Sequence, residues 1–183
     1  MRDARIVSRF LVVILLFTAV LAPAVATSAI MQAASDPNGR FKISFPVEWQ
    51  VVKTKSGSST VIGFRPAPPG QFRPNVNVVV EGIPESISAE TYAQLAKPKM
   101  EAVFNDFTVL KEGSATIARR QAYYRYYTWR PKNQGELYQV QAYFTVAHMA
   151  YVLTGTTMNN PDRVRRDLPI MRQIFETFSP IVK

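Results

Sequence analysis

From Arg40 onward this chain is made of short runs in which apolar and polar residues alternate, and only two stretches carry a helical stripe. Few architectures accept that order. Straight after the turn cluster Asp36-Pro37-Asn38-Gly39, Phe41, Ile43 and Phe45 alternate with Lys42 and Ser44, the period of a half-buried strand. Pro46 stops it. Trp49 to Val52 and Thr60 to Phe64 read as two more short strands around Lys55-Ser56-Gly57-Ser58, Pro66 to Pro74 as a proline-rich loop, and Asn75 to Glu81 as a β-branched strand. Ser88 then caps a helix with Tyr92, Leu95, Ala96, Met100, Val103 and Phe104 on one stripe, which Pro98 is expected to bend.

Strand character returns at Phe107 to Leu110, Ala115 to Ala118 and Gln121 to Trp129. The apolar run from Leu137 to Leu153 is too long for one strand and should fold back near Ala147-His148-Met149. A last helix follows Asn160-Pro161, with Val164, Leu168, Met171, Phe175 and Phe178 on its stripe and Asp167 before Leu168-Pro169 as a second cap. Strands, a helix, more strands and a helix give an α+β fold, an antiparallel sheet flanked by helices. With 47% hydrophobic residues the chain is too apolar to stay disordered, and its length suits one domain.

The first 26 residues differ. Arg2, Arg5 and Arg9 precede an apolar run from Phe10 to Ala22, then Pro23 and the small-x-small pattern Ala24-Val25-Ala26, the layout of a signal peptide. Cleavage is expected after Ala26, with Ala29 and Ala34 as later options; the alternative is an uncleaved N-terminal membrane anchor from Phe10 to Ala26. No cysteine follows the apolar run and no arginine pair precedes it, which leaves the general secretory route and a periplasmic, lumenal or extracellular product. Residues 27–39 are expected to be a flexible linker and residues 40–180 the folded domain. Without any cysteine, stability must come from packing, and thiol catalysis and thiolate metal sites are excluded.

Five segments in order resemble the PsbP-like family, named for an extrinsic subunit of the photosystem II oxygen-evolving complex and including many bacterial envelope proteins. They are Phe41 to Trp49 (FKISFPVEW), Asn75 to Ile87 (NVNVVVEGIPESI), Arg119 to Arg130 (RRQAYYRYYTWR), Tyr143 to Met158 (YFTVAHMAYVLTGTTM) and Leu168 to Pro180 (LPIMRQIFETFSP). The resemblance implies a PsbP-like α/β/α sandwich and an accessory role. It transfers no site residues, because the Pro66 to Pro74 loop and the hairpin apex at His148 depart from the photosynthetic members.

The sequence supplies little catalytic chemistry. His148 is the single histidine and reads as a solvent-facing turn residue, and no nucleophile elbow accompanies the serines. Glu81, Glu85, Asp162 and Asp167 lie near element ends, where carboxylates cap or solvate, and match no calcium loop. No enzyme activity, catalytic residue, metal or cofactor is therefore expected. The formal net charge is +9, of which the first 26 residues carry +2. Arg163, Arg165 and Arg166 cluster at the start of the last helix, and Arg119 and Arg120 precede the aromatic strand. That strand, Tyr123 to Trp129, puts Tyr123, Arg125, Tyr127 and Trp129 on one face and Tyr124 and Tyr126 on the other.

Two functions follow. In the first, a monomeric, non-enzymatic accessory protein docks through Arg119, Arg120, Arg163, Arg165 and Arg166 to a protein partner at the membrane or envelope surface, with contact to anionic membrane as a further option. In the second, the aromatic strand, which a sheet covered on both faces would bury as core, instead stays partly open as a groove at Arg125, Tyr127 and Trp129 that holds a small molecule or hydrophobic ligand. No nucleic-acid partner is expected, since no basic helix carries recognition residues.

Overall fold

The computed structural model describes residues 30–84 and 86–181; the expected signal segment and Glu85 lie outside them. The described residues form strands β1 (Met31–Ser35), β2 (Phe41–Pro46), β3 (Gln50–Lys53), β4 (Ser59–Phe64) and β5 (Asn75–Gly82), then helix α1 (Ala89–Val103). There follow β6 (Thr108–Ile117), β7 (Arg120–Trp129), β8 (Leu137–Val146), β9 (Met149–Met158), α2 (Pro161–Glu176) and the two-residue β10 (Ser179–Pro180). All pairings are antiparallel, in a seven-stranded sheet of order β3-β4-β5-β9-β8-β7-β6 and a three-stranded sheet of order β1-β2-β10. Among the described residues no helix is long and apolar enough to cross a membrane.

Register decides which side chains share a face. Tyr124, Ala142, Leu153 and Val78 lie side by side across β7, β8, β9 and β5, and so do Tyr123, Tyr143, Val152 and Val79 one residue away on the opposite face. The first face carries the main core: Val61, Val76, Val78 and Leu153 pack against Phe41, Ile43 and Phe45 of β2 and Met171, Ile174 and Phe175 of α2. On the second face Ala93 of α1 joins Tyr123, Tyr143 and Val152 in a smaller cluster. The architecture is thus α+β with a helix on each face of an antiparallel sheet. The expected simple α/β/α sandwich is refined in one respect: α2 shares its face with the small sheet. Close approach there depends on Gly63 of β4, where an added Cβ would overlap the Phe45 ring.

Several local expectations are corrected. Residues 27–39 were expected to be a linker, yet Met31–Ser35 pairs with β2 along its whole length and Ala34 is buried in the core, so ordered structure begins before Arg40. The turn behind it is fastened by Asp36, whose carboxylate accepts from Arg40 Nε at 2.8 Å, from the Arg40 backbone N–H at 3.0 Å and from the Thr60 hydroxyl on β4. One carboxylate therefore ties the small sheet to the large one. Phe107 to Leu110 and Ala115 to Ala118 are not two strands but parts of the single β6, which absorbs an irregular residue between Val109 and Lys111. On α1, capped by Ser88 through the Thr91 N–H at 3.0 Å, Leu95 and Val103 are exposed because the helix touches the sheet through only one narrow strip. Asp167 does not restart α2; it is buried inside it.

Candidate functional site

The face of β7 that offered a ligand groove as the alternative to a buried core is filled. Arg125 is fully buried beneath α1, where Nε donates to Glu112 Oε2 at 2.6 Å, Nη2 to the Ala93 carbonyl at 3.1 Å and Nη1 to the Tyr143 hydroxyl at 3.3 Å. Burial by itself raises the Glu112 carboxyl, but the hydrogen bond and charge of Arg125, helped by Lys97, hold it below its ordinary value. Tyr127 is equally buried, packed against Phe104 and Phe107, and this burial pushes its phenol well up. Trp129 is half-buried, stacks on Phe104 with ring centroids 4.5 Å apart and donates its indole N–H to Gln139 Oε1 at 3.0 Å. Arg125 and Tyr127 thus have no surface to offer a partner. α1 covers Arg125, and the chain after Val103 folds back so that Phe104 and Phe107 cover Tyr127.

A groove of about 270 Å³ opens instead on the opposite face, between α2 and the β6 side of the sheet. Its walls include Ala115, Ile117, Tyr124, Tyr126, Ala142 and Phe175. It exists because α2 packs over β9, β8 and β2, leaving the β6 end uncovered, and because small residues stand beside the two tyrosines. Cations close its rim. The Arg172 guanidinium lies 5.5 Å from the Tyr126 ring centroid and donates to the Tyr126 hydroxyl from Nε at 3.0 Å and Nη2 at 2.7 Å. Lys111 Nζ lies 5.9 Å from the Tyr124 ring centroid. Both cations are exposed. At the far end Glu176 accepts from the Ala118 backbone N–H at 2.7 Å and so fixes the β6–β7 turn to α2.

The arginines expected to form one docking surface are divided. Arg119 and Arg120 are exposed at the β6–β7 turn, beside the C-terminus of α2, whereas Arg163, Arg165 and Arg166 occupy its first turns. Sixteen helical residues span about 24 Å, so the groups sit at opposite ends of the helix. The N-terminal three are also engaged. Arg163 donates to Gln71 at 3.3 Å, Arg165 pairs with Asp162 at 3.4 Å, and Arg166 pairs with Asp167 at 2.9 Å. Asp167 additionally accepts from Arg65 and, at 2.6 Å, from the Thr157 hydroxyl. Burial alone would raise this carboxyl, yet those donors hold it below its ordinary value.

His148 is exposed at the β8–β9 apex and lines no part of the groove. Among the described residues no group of three or more His, Cys, Asp or Glu is placed to hold a metal ion. Glu81 accepts from the Tyr92 hydroxyl at 2.6 Å, and Asp162 is exposed next to the Asn160 cap.

The family model for DcrB matches residues 59–168, from β4 into α2. The chain belongs to the DcrB family. The groove is built from this matched part, except for Arg172, Phe175 and Glu176. No curated protein sequence matches this DcrB-family chain. Among solved structures, the cyanobacterial PsbP (CyanoP) of Synechocystis sp. PCC 6803 is similar with a TM-score of 0.61 at 15% identity, covering 87% of this chain and 98% of that one. PA94 of Pseudomonas aeruginosa gives 0.60 at 17%, covering 84% and 99%. LpqN, involved in cell envelope biogenesis of Mycobacterium tuberculosis, gives 0.60 at 12%, covering 84% and 91%. The DcrB-family chain therefore has the PsbP-like fold, and the likeness to PsbP read from the five segments holds at that level.

Proposed function

We propose that this DcrB-family chain is an exported, non-enzymatic accessory protein of the bacterial envelope that holds a protein partner in the groove beside α2. Export is supported by the charged start, the apolar run and Ala24-Val25-Ala26, and the envelope setting by the role of the similarly folded LpqN. The carrying observation is the groove itself: an open apolar floor between two exposed cations suits recognition, and the Glu176 carboxylate at its end is spent on the Ala118 backbone N–H. The excess positive charge still assists by steering an acidic partner, an effect that salt screens.

The test is site-specific photocrosslinking in the native host. A photoreactive residue replacing Lys111 should give a discrete adduct in the envelope fraction, and one replacing Arg165 should not. Adducts at Arg165 with none at Lys111 would move recognition to the arginine cluster and refute the groove.

A further inference from the structure

The groove adjoins an open sheet edge. β6 is the last strand of the seven-stranded sheet, and among the described residues no strand pairs with its outer side. It is ten residues long, against four for β3 at the other edge. The turn into β7 consists of Ala118 and Arg119 with φ of 51° and 60°, the signature of a two-residue type I′ hairpin. In such a hairpin the closing pair, Ile117 and Arg120, exchanges hydrogen bonds, and bonded and non-bonded pairs alternate from there. Ala115 and Gly113 are therefore bonded to β7, while the N–H and C=O groups of Thr116, Ser114 and Glu112 point outward. The side chains of Ile117, Ala115 and Lys111 lie on the groove face, since their partners are Arg120, Ala122 and Tyr126, and Gly113 opposite Tyr124 presents bare backbone there.

Natural edges are blocked by proline, lysine, bulges or short length. From Glu112 to Ile117 there is no proline and no lysine, the irregularity lies before Lys111, and Glu112 is tied inward to Arg125. At the groove, Lys111 and Arg172 form no ion pair among the described residues. A lipid chain could use the apolar floor but would leave the outward main-chain groups unpaired, whereas an extended peptide uses both.

Resting on the groove reading, we infer that the occupant is an extended peptide segment of the partner that adds to β6 as a further strand. It places alternate apolar side chains over Ala115, Ile117 and Tyr124 and an acidic side chain between Lys111 and Arg172.

Panning a displayed library of random decapeptides on the purified protein tests this. Enriched peptides should alternate apolar residues and carry Asp or Glu. Ser114→Pro removes an outward N–H without breaking the β6–β7 ladder, and should weaken a selected peptide about tenfold or more, while Ser114→Ala leaves it within about twofold. N-methylation of the peptide at alternate backbone positions should weaken it equally, so the test survives if the proline variant misfolds. Peptides that bind Ser114→Pro and tolerate N-methylation, yet are lost with Ala115→Trp, would overturn strand addition and leave the groove reading standing. No enrichment, or enrichment without alternation, would also overturn it. So would a concentration-dependent dimer in sedimentation that Ser114→Pro abolishes, which would assign the edge to a second copy of this chain.

Discussion

Replacing Asp36 with asparagine removes the carboxylate that joins the two sheets, and its effect has a defined pH signature. The Asp36 side chain is fully buried; burial alone would raise its pKa, but donation from Arg40 and Thr60 brings it from an ordinary 3.8 to about 2. A folded value below the unfolded one contributes stability that is fully present above about pH 4 and lost as pH falls through about 2. A difference of about 1.8 between the two values corresponds to about 2.4 kcal/mol at neutral pH, and integrating the same linkage leaves about 0.8 kcal/mol at pH 2.5. For a domain of this size that is a Tm difference of about 5–10 °C at pH 6, shrinking to about a third at pH 2.5. Urea denaturation of the parent and Asp36→Asn at both pH values measures it. Asparagine does not titrate, so any constant packing penalty cancels and the narrowing of the gap is the signal. A gap below about 0.5 kcal/mol at pH 6, or one that does not narrow on acidification, refutes the role given to Asp36.

Trp49, only 3% exposed and packed with Phe45, should cost about 3–5 kcal/mol when replaced by alanine, measured by denaturant unfolding; a loss under about 1 kcal/mol would place it outside the core. Arg166→Glu sets a carboxylate against buried Asp167 and should lower Tm by several degrees, whereas Arg165→Glu breaks only an exposed pair worth about 0–1 kcal/mol. Equal melting of the two variants would contradict this. N-terminal sequencing of the exported protein should find Thr27 first, which keeps β1 intact. A product beginning at Ser35 would have lost that strand.

The strand periods and the two helical stripes located nearly every element, because alternation and the 3.6-residue repeat register burial directly. Asp167 was misread as a cap, although it falls on the same stripe as Val164, Leu168 and Met171, where a carboxylate requires partners. What it needed, Arg65 and Thr157, stands on distant elements, and no local pattern pairs them. β7 shows the opposite limit. Both of its faces are aromatic, and strand period alone does not say which one a helix covers; the placement of Phe104 and Phe107 over Tyr127 decided that, so the open groove fell at Tyr124 and Tyr126. β1 escaped notice because Met31–Ser35 is short and, after Met31, made of small or polar residues, and only pairing with β2 gives it a strand's conformation.

The position of β2 between β1 and β10 governs the order in which the chain can become native. The Ser44 N–H is satisfied by the Thr177 hydroxyl at 2.8 Å, and Ile181 donates to the Arg40 carbonyl at 2.7 Å, so the first residues of the fold are closed by the last. A chain made from its N-terminus meets these contacts only after α2 has been synthesised, and contacts so distant in sequence are slow to form. Until then Phe41, Ile43 and Phe45 lack the lid that Phe175 and Phe178 provide. β2 is therefore the strand whose native surroundings assemble last, since these backbone partners and its aromatic cover come from α2 and the residues just after it.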